Sequence, residues 1–201
     1  ELEQGFLCGG LPDPEFPNAA VVPESMYAFD DLVDELYQSQ AQVVVHLDLK
    51  YEPGWTTTAP VYAEAILRRW TDADLPQKFY VSSAWPEMIE ATEDWSRRNS
   101  WEVPTSYSWP LVRRERSTLG QALAFELEAT TGSGDPVAQA LALDADGMNL
   151  NWELASRSMV RAAKDEGLTV QLWTINDPRV LDQHASWPVD ALITDYPGDL
   201  P

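Results

Sequence analysis

The sequence has one cysteine, two histidines and few basic residues. Each shortage excludes or limits one kind of bond, partner or chemistry. Cys8 stands alone, so no internal disulfide can form. Thirteen lysines and arginines stand against 33 acidic residues, and the formal net charge is −20. Because a field of this sign repels a polyphosphate backbone, we expect no nucleic-acid partner. His46 and His184 are the only histidines, which limits the acid–base chemistry that the chain can supply by itself.

Long apolar runs and phosphate-binding loops are also missing. No apolar run reaches the ~18 residues that a membrane-spanning helix requires, so we expect no transmembrane segment. No Gly-x-Gly-x-x-Gly or Walker-type loop occurs, which weakens a nucleotide-binding open sheet as an interpretation. With 201 residues, 44% of them hydrophobic, the chain is long enough for one domain with a core. We expect a single domain over residues 1–201, with residues 1–25 as an irregular, Pro-rich opening segment.

Strand and helix patterns alternate along the rest of the chain. The hydrophobic pattern predicts strands at residues 43–50, 79–83, 107–112, 139–144 (with a resumption near 148–150), 169–174 and 190–194. It predicts helices near residues 29–37, 60–70, 86–95, 119–129 and 155–163, and a short helix between the last two strands. Such alternation is typical of a parallel sheet with helical crossovers. A doubly wound open sheet would satisfy six strands, and so would a (β/α)8 barrel without its first two units, since complete barrels typically need ~250 residues.

The first predicted strand, residues 43–50, carries ionisable groups on one face. Successive side chains of a strand point to opposite faces, so one face is apolar and the other carries His46, Asp48 and Lys50. In a barrel the polar face points into the lumen, and the C-terminal ends of the strands build the active site. A carboxylate there can ligate a divalent cation, and a lysine can neutralise a phosphate oxygen. From the alternation alone, an internal Asp–Lys pair that bridges to neighbouring strands explains the pattern equally well.

Three segments, taken in order, resemble one enzyme family. They are Phe-Asp-Asp-Leu-Val at 29–33 leading to His-Leu-Asp-Leu-Lys at 46–50, Gly-Leu-Thr-Val-Gln-Leu-Trp-Thr-Ile-Asn-Asp at 167–177, and Val-Asp-Ala-Leu-Ile-Thr-Asp-Tyr-Pro at 189–197. They are similar to three features of the glycerophosphodiester phosphodiesterases: the helix before a Glu-x-Lys strand, the strand Gly-x-x-Val-x-x-Trp-Thr-Val-Asn, and the closing Val-Asp-x-Ile-x-Thr-Asp-x-Pro. The chain resembles this family over roughly residues 22–200.

The resemblance implies a fold, a reaction and a set of site residues. The implied fold is a TIM (β/α)8 barrel of the phospholipase C-like phosphodiesterase type, of which this chain supplies about strands 3–8 as a partial domain. The implied reaction is metal-dependent hydrolysis of glycerophosphodiesters to an alcohol and glycerol 3-phosphate, which makes the completed protein a phosphoric diester hydrolase. Asp48, at the position of a metal-binding carboxylate of the family, is the implied ligand for Ca²⁺ or Mg²⁺. The implied substrate-binding residues are Lys50, Trp173, Ser83 and Asn176.

The sequence departs from the family in its N-terminal motifs. The family's His-Arg-Gly strand, Glu-x-Asp strand and His-Asp pair do not occur in residues 1–201, so we assign no catalytic residue to this chain and expect it to be inactive alone. We expect two partners, an N-terminal fragment of the same barrel and a small phosphodiester substrate. The alternatives are a non-catalytic barrel relative that acts as a binding or scaffold protein, and a phospholipase D-like enzyme that acts on sphingolipid or lysolipid head groups. The acidity and the habit of the family indicate a periplasmic or secreted location, with a cytoplasmic one as the alternative.

Overall fold

The computed structural model describes residues 7–8, 24–25, 28–39, 42–51, 57–109 and 135–198. The chain divides into two compact units, Glu1–Val43 with Ile66–Lys78 and Val44–Ala65 with Phe79–Pro201. The expectation of one domain over the whole chain stays a prediction. None of the described helices combines the length and the apolar character that crossing a bilayer would require.

The first unit contains a short antiparallel ladder. Strand β1 (Leu7–Cys8) pairs with strand β2 (Glu24–Ser25). None of these four residues is a proline, so each keeps the backbone N–H that ladder pairing requires. The ladder is a regular feature that the prediction of an irregular opening segment did not include.

Helix α1 (Phe29–Ser39) also belongs to the first unit. The side chain of Asp31 accepts the backbone N–H of Ala28 at 2.8 Å, which satisfies one of the free donors at the start of a helix. Two aspartates in the first turn suit the positive end of the helix dipole. Val33 is buried, so the helix turns its apolar face inward and leaves its acidic face exposed.

The main sheet has six strands in the described part of the chain. These are β3 (Val44–Asp48), β4 (Lys78–Ser83), β5 (Thr105–Trp109), β6 (Gly147–Asn151), β7 (Thr169–Trp173) and β8 (Ala191–Leu192). The described helices that follow β3 are α2 (Ala59–Asp72), α3 (Pro86–Asn99), α4 (Pro136–Ala142), α5 (Arg157–Asp165) and α6 (Pro178–His184).

The six strands lie side by side in their order along the chain, β3-β4-β5-β6-β7-β8. Each pair from β4 to β8 is parallel. Leu49, just past β3, donates its N–H to the carbonyl of Ser82 in β4 at 2.8 Å. A doubly wound sheet reverses its strand order at a switch point, and the described strands show no such reversal. The sheet therefore has the order of a (β/α) barrel wall, while the numbering of its strands within a complete barrel stays a prediction.

A hydrogen bond between β4 and β7 shows that the sheet curls. Tyr80 Oη donates to Gln171 Oε1 at 2.9 Å, although two strands lie between them. Neighbouring strands are about 4.8 Å apart, so in a flat sheet β4 and β7 would lie about 14 Å apart and these side chains would stand side by side without meeting. The expectation of a curled sheet, rather than a flat one, is therefore confirmed.

The core of the second unit lies between the helices and the convex face of the sheet. Apolar side chains of β6 and β7 form one buried cluster with residues of α3, α4 and α5, whose largest fully buried members include Met148, Leu150, Leu172, Ile89 and Val160. Asn149 and Gln171 alternate with these apolar residues and lie on the opposite face of the sheet. The period of two thus separates an apolar face, covered by helices, from a polar concave face.

The predicted strand at residues 139–144 is wrong, because these residues form the end of α4 and the turn after it. Asp135 caps the helix by accepting the N–H of Val137 at 3.0 Å, and Pro136 occupies the first turn, where its missing N–H is tolerated. A short apolar run cannot be assigned to strand or helix by its period alone, and the Asp-Pro start decides it here. The strand is β6, which coincides with the alternative near residues 148–150. The helix predicted near 119–129 lies outside the described residues.

Candidate active site

A cavity of about 330 Å³ lies at the carboxyl edge of the sheet. Parallel strands end at the same edge, so residues that are far apart in sequence converge there. Each of the six strands contributes at least one lining residue, in the strand or just after it. The lining residues are His46, Asp48, Lys50, Ser82, Ala84, Ser108, Asn149, Trp173, Thr174 and Ile193. The structure thus brings together three of the residues singled out by the sequence, Asp48, Lys50 and Trp173.

Asp48 and Lys50 form an exposed ion pair at the end of β3. The Lys50 ammonium donates to Asp48 Oδ2. The side chain of Asp48 is 38% exposed and that of Lys50 is 61% exposed. Ion pairs this open contribute at most about 1 kcal/mol to stability. A ligand could therefore separate the two groups at little cost, which a buried structural pair between strands would not allow.

His46 lies in the same cavity, although no role is predicted for it from the sequence. Its Nε2 is 2.5 Å from the hydroxyl oxygen of Ser82. Its ring stacks on that of Tyr80, with centroids 4.4 Å apart and planes inclined by 16°. The hydroxyl of Ser82 also donates to Asp48 Oδ1 at 3.2 Å. His46, Ser82, Asp48 and Lys50 are therefore linked by one chain of hydrogen bonds.

Burial changes the titration of the groups around Asp48. Burial lowers the pKa of His46, an effect that the Asp48 charge partly offsets and the Lys50 charge reinforces. The imidazole is therefore neutral at neutral pH. Burial also raises the pKa of Tyr62 and of Tyr80, and the charge of Asp48 raises both further, while the hydrogen bond from Tyr80 to its amide partner acts in the opposite direction. Both phenols stay protonated near neutral pH.

Ser83 is fully buried and does not line the cavity. Its hydroxyl donates to the carbonyl of Leu49 at 2.7 Å and accepts the N–H of Trp85 at 3.1 Å. These bonds tie the end of β4 to the segment that carries Lys50. A substrate-binding role for Ser83 stays a prediction, while the neighbouring Ser82 lines the cavity.

Trp173 lines the cavity, whereas Asn176 does not. The indole N–H of Trp173 is buried and has no hydrogen-bond partner within the described part of the chain. Asn176 donates to Asp195 Oδ2 at 2.8 Å and accepts the backbone N–H of Asp195 at 2.9 Å and the hydroxyl of Thr194 at 3.0 Å. Asn176 therefore holds the segment after β7 to the segment after β8. Its substrate-binding role stays a prediction.

His184, the other histidine, ends α6 and lies away from the cavity. Its Nδ1 is 2.7 Å from the carbonyl of Val180, and its ring meets Trp187 and Trp152 edge-on, with centroids 4.4 and 6.0 Å away respectively. The side chain is buried. His184 is thus a packed structural residue of the helix end.

The described residues do not form a complete metal site. No group of three or more His, Cys, Asp or Glu side chains in residues 28–39, 42–51, 57–109 and 135–198 is arranged to hold a metal ion. Among the described residues that line the cavity, Asp48 is the single carboxylate, and one of its oxygens already accepts from Lys50. Ca²⁺ takes six to eight oxygen ligands, and Mg²⁺ takes six, usually one or two protein carboxylates together with waters and substrate phosphate. These residues fit one ligand position and not the whole coordination shell.

A second cavity of about 380 Å³ lies at the opposite edge of the sheet, where the strands begin. It is lined by residues of the end of α3 and by Asp146, which precedes β6. None of the predicted site residues lines it. Barrel active sites lie at the carboxyl edge, so the smaller cavity around Asp48 is the candidate active site although the other is larger.

The strand order and the cavity at the carboxyl edge define a barrel-type α/β enzyme fold. The family model described as the glycerophosphoryl diester phosphodiesterase family matches residues 61–199, well over half of the chain. The chain belongs to the glycerophosphoryl diester phosphodiesterase family, as the resemblance of its motifs predicts. The matched span includes Ser83, Trp173 and Asn176 but begins after Asp48 and Lys50. No curated protein sequence matches the chain.

Solved structures of the same family share the fold. A candidate glycerophosphoryl diester phosphodiesterase from Silicibacter pomeroyi is 22% identical with a TM-score of 0.66, over 92% of this chain and 58% of its own. A candidate glycerophosphodiester phosphodiesterase from Galdieria sulphuraria is 17% identical with a TM-score of 0.65, over 91% and 66%. An Oleispira antarctica phosphodiesterase, solved in complex with the product sn-glycerol-3-phosphate, is 18% identical with a TM-score of 0.53, over 76% and 51%. The chain spans less than two thirds of each of these proteins.

Proposed function

We propose that the chain carries part of the active site of a phosphoric diester hydrolase, which cleaves glycerophosphodiesters to an alcohol and glycerol 3-phosphate. One observation carries this proposal: Asp48 and Lys50 form an open ion pair inside a cavity at the carboxyl edge of the sheet. Family membership supports the reaction class. The product bound to the Oleispira antarctica phosphodiesterase supports the same substrate class.

The residues of the cavity have the chemistry that such a substrate needs. The Lys50 ammonium can pair with a phosphate oxygen, because its present partner is an exposed carboxylate that releases it easily. Trp173 offers an apolar surface for the glycerol or the alcohol moiety, and Asn149 and Ser108 add polar groups. A volume of about 330 Å³ suits a small diester rather than a polymer.

The cavity lacks a free acid–base pair within the described residues. His46 is the histidine that lines it, and its Nε2 is already bonded to Ser82. Hydrolysis of a phosphodiester needs a group that activates water and a group that protonates the leaving alcohol. We assign these groups, and the carboxylates that would complete a Ca²⁺ or Mg²⁺ site, to a segment with His-Arg-Gly and Glu-x-Asp strands that closes the barrel beside β3. This segment either precedes residue 1 or belongs to a separate polypeptide.

The test is an assay of glycerol 3-phosphate release from glycerophosphocholine by the natively purified protein. Intact-mass analysis of the same sample establishes whether a His-Arg-Gly segment is present. We expect turnover with Mg²⁺ or Ca²⁺ when the segment is present, loss of turnover with EDTA, and no turnover by residues 1–201 alone. A protein that contains the segment and hydrolyses no glycerophosphodiester would overturn the proposal.

A second candidate is a binding or scaffold protein that retains the cavity without catalysis. Lys50 and the polar residues Ser108 and Asn149 in the cavity could bind a phosphodiester without any catalysis. Such a protein would bind glycerophosphocholine or glycerol 3-phosphate in calorimetry without turning the diester over. Binding lost in Lys50→Ala, together with no turnover in the complete protein, would support this candidate.

A further inference from the structure

Ser82 connects a histidine to the carboxylate of the candidate site. Its hydroxyl lies 2.5 Å from His46 Nε2 and 3.2 Å from Asp48 Oδ1. Ser82 itself is fully buried, whereas the side chain of Asp48 is 38% exposed. A buried hydroxyl with two partners holds both of them in fixed directions.

The direction of each hydrogen bond follows from the single proton of the hydroxyl. An ionised carboxylate only accepts, so the Ser82 proton must point to Asp48 Oδ1. The serine oxygen then has lone pairs left for His46, and the imidazole must donate through Nε2. The opposite arrangement would place a serine lone pair against the carboxylate. The two bonds therefore form a hydrogen-bond relay, in which His46 Nε2–H donates to Ser82 and the Ser82 hydroxyl donates to Asp48.

The imidazole ring is itself held in place. It stacks on Tyr80 at 4.4 Å, and the hydroxyl of Tyr80 is anchored on Gln171 at 2.9 Å. The stacked imidazole of His46 is thus linked through Ser82 to Asp48 Oδ1, while Asp48 Oδ2 accepts from Lys50. Both oxygens of the Asp48 carboxylate have defined partners, and the bond from Ser82 to Oδ1 remains when a ligand separates Lys50 from Oδ2.

We propose that His46 is a positioning residue, which orients the Asp48 carboxylate through the hydroxyl of Ser82. The role deepens the proposed hydrolytic function and rests on it. A carboxylate that must meet a cation or a substrate works only within about 0.5 Å of the productive position. Groups that orient such a ligand without touching substrate typically change activity about 10- to 100-fold when they are removed.

The hydrogen-bond relay can be tested without any activity, because the chain has two histidines and their signals can be assigned with His184→Gln. Nitrogen-15 NMR at neutral pH should show His46 protonated at Nε2, and Ser82→Ala should shift that nitrogen. The carboxyl carbon of Asp48, assigned with Asp48→Asn, should shift in both Ser82→Ala and His46→Phe. An unprotonated Nε2, or an Asp48 carbon that is unchanged in His46→Phe, would overturn the proposal whether or not the protein hydrolyses diesters.

Kinetics of the complete protein separate positioning from structure. Ser82→Ala and His46→Phe should each lower kcat about 10- to 100-fold with little change in KM, and His46→Gln, which keeps a side-chain N–H, should recover part of the loss. The double variant should be no worse than the worse single one, because both changes break the same relay. Lys164→Ala is the control and should leave kcat unchanged, because Lys164 pairs with Asp190 and does not line the cavity. Additive losses of kcat in the double variant would contradict the positioning role of His46. A rise in KM with unchanged kcat in the single variants would contradict it as well. Lack of turnover in the unmodified complete protein would count against the proposed function. The NMR result would then decide by itself whether the hydrogen bonds from His46 to Asp48 exist.

Discussion

Gly147 lies so close to Thr169 that a side chain at this position would force one of its neighbours to shift. A Cβ atom at Gly147 would stand 2.1 Å from Thr169 Oγ1 and 2.9 Å from its carbonyl oxygen. The two residues are register partners at the start of β6 and β7. The hydroxyl could rotate away, but the carbonyl belongs to the backbone. In the same register Asn149 lies opposite Gln171 on the concave face.

Gly147→Ala should therefore destabilise the sheet by about 1–3 kcal/mol, the usual range for overfilling a packed position. Chemical denaturation followed by circular dichroism measures the change. Gly198→Ala is the matched control, since no atom of the described residues lies within 4 Å of a Cβ at that position. Equal stability of the two variants would show that the contact can relax.

The stability of the second unit should depend on the protonation of Glu93. Burial raises the pKa of Glu93, and nearby Asp146 and Asp144 raise it further, while the hydrogen bond from Thr105 at 2.8 Å and the charge of Arg97 act in the opposite direction. The folded protein thus keeps this proton to a higher pH than the unfolded chain does. Stability from this group is present below the ordinary pKa of 4.5 and is lost as the pH rises through the raised pKa.

Glu93→Gln should remove this dependence, because an amide oxygen still accepts from Thr105 but does not ionise. The melting temperatures of the two proteins, measured from below pH 4.5 to neutral, should diverge in favour of the variant as the pH rises. A constant difference over that window would mean that Glu93 titrates alike in the folded and unfolded states.

Lys50→Ala should lower turnover more than substrate affinity. Charge on the phosphate oxygens grows toward the transition state, so an ammonium beside them stabilises that state more than the bound substrate. Removing one such group typically lowers kcat about 10²- to 10³-fold. Steady-state kinetics with glycerophosphocholine give both constants. Lys164→Ala is the control, since Lys164 pairs with Asp190 at 2.7 Å away from the cavity. A rise in KM with unchanged kcat in Lys50→Ala would assign the lysine to ground-state binding alone.

Much of the site was predictable from the alternation of side chains along strands. The pattern of residues 43–50 places Asp48 and Lys50 on the polar face, and both line the cavity. The same rule could have found Ser82, because apolar Phe79 and Val81 put the next alternate residue, Ser83, on the core side. The resemblance to the family implies Ser83 as a site residue, whereas the alternation along the strand places Ser82 at the cavity.

Other features depend on tertiary contacts that no local pattern contains. The bond between Tyr80 and Gln171 joins residues 91 positions apart and exists only because the sheet curls. The role of His46 follows from its contact with Ser82, on a neighbouring strand, and could not be read from one strand alone. The wrong strand prediction at residues 139–144 has a local cause instead. An apolar run suggested a strand, but Asp135 and Pro136 begin a helix there.

The most direct test of the account compares Asp48→Ala with Asp48→Glu in the complete protein. Glycerol 3-phosphate release from glycerophosphocholine is measured with Mg²⁺ or Ca²⁺, with circular dichroism to confirm that both variants fold. Metal-assisted catalysis supplies several kcal/mol, so Asp48→Ala should lose about 100-fold or more of the activity. Asp48→Glu restores the family's usual residue and should retain activity. Undiminished turnover in Asp48→Ala would contradict the placement of the active site at this carboxylate.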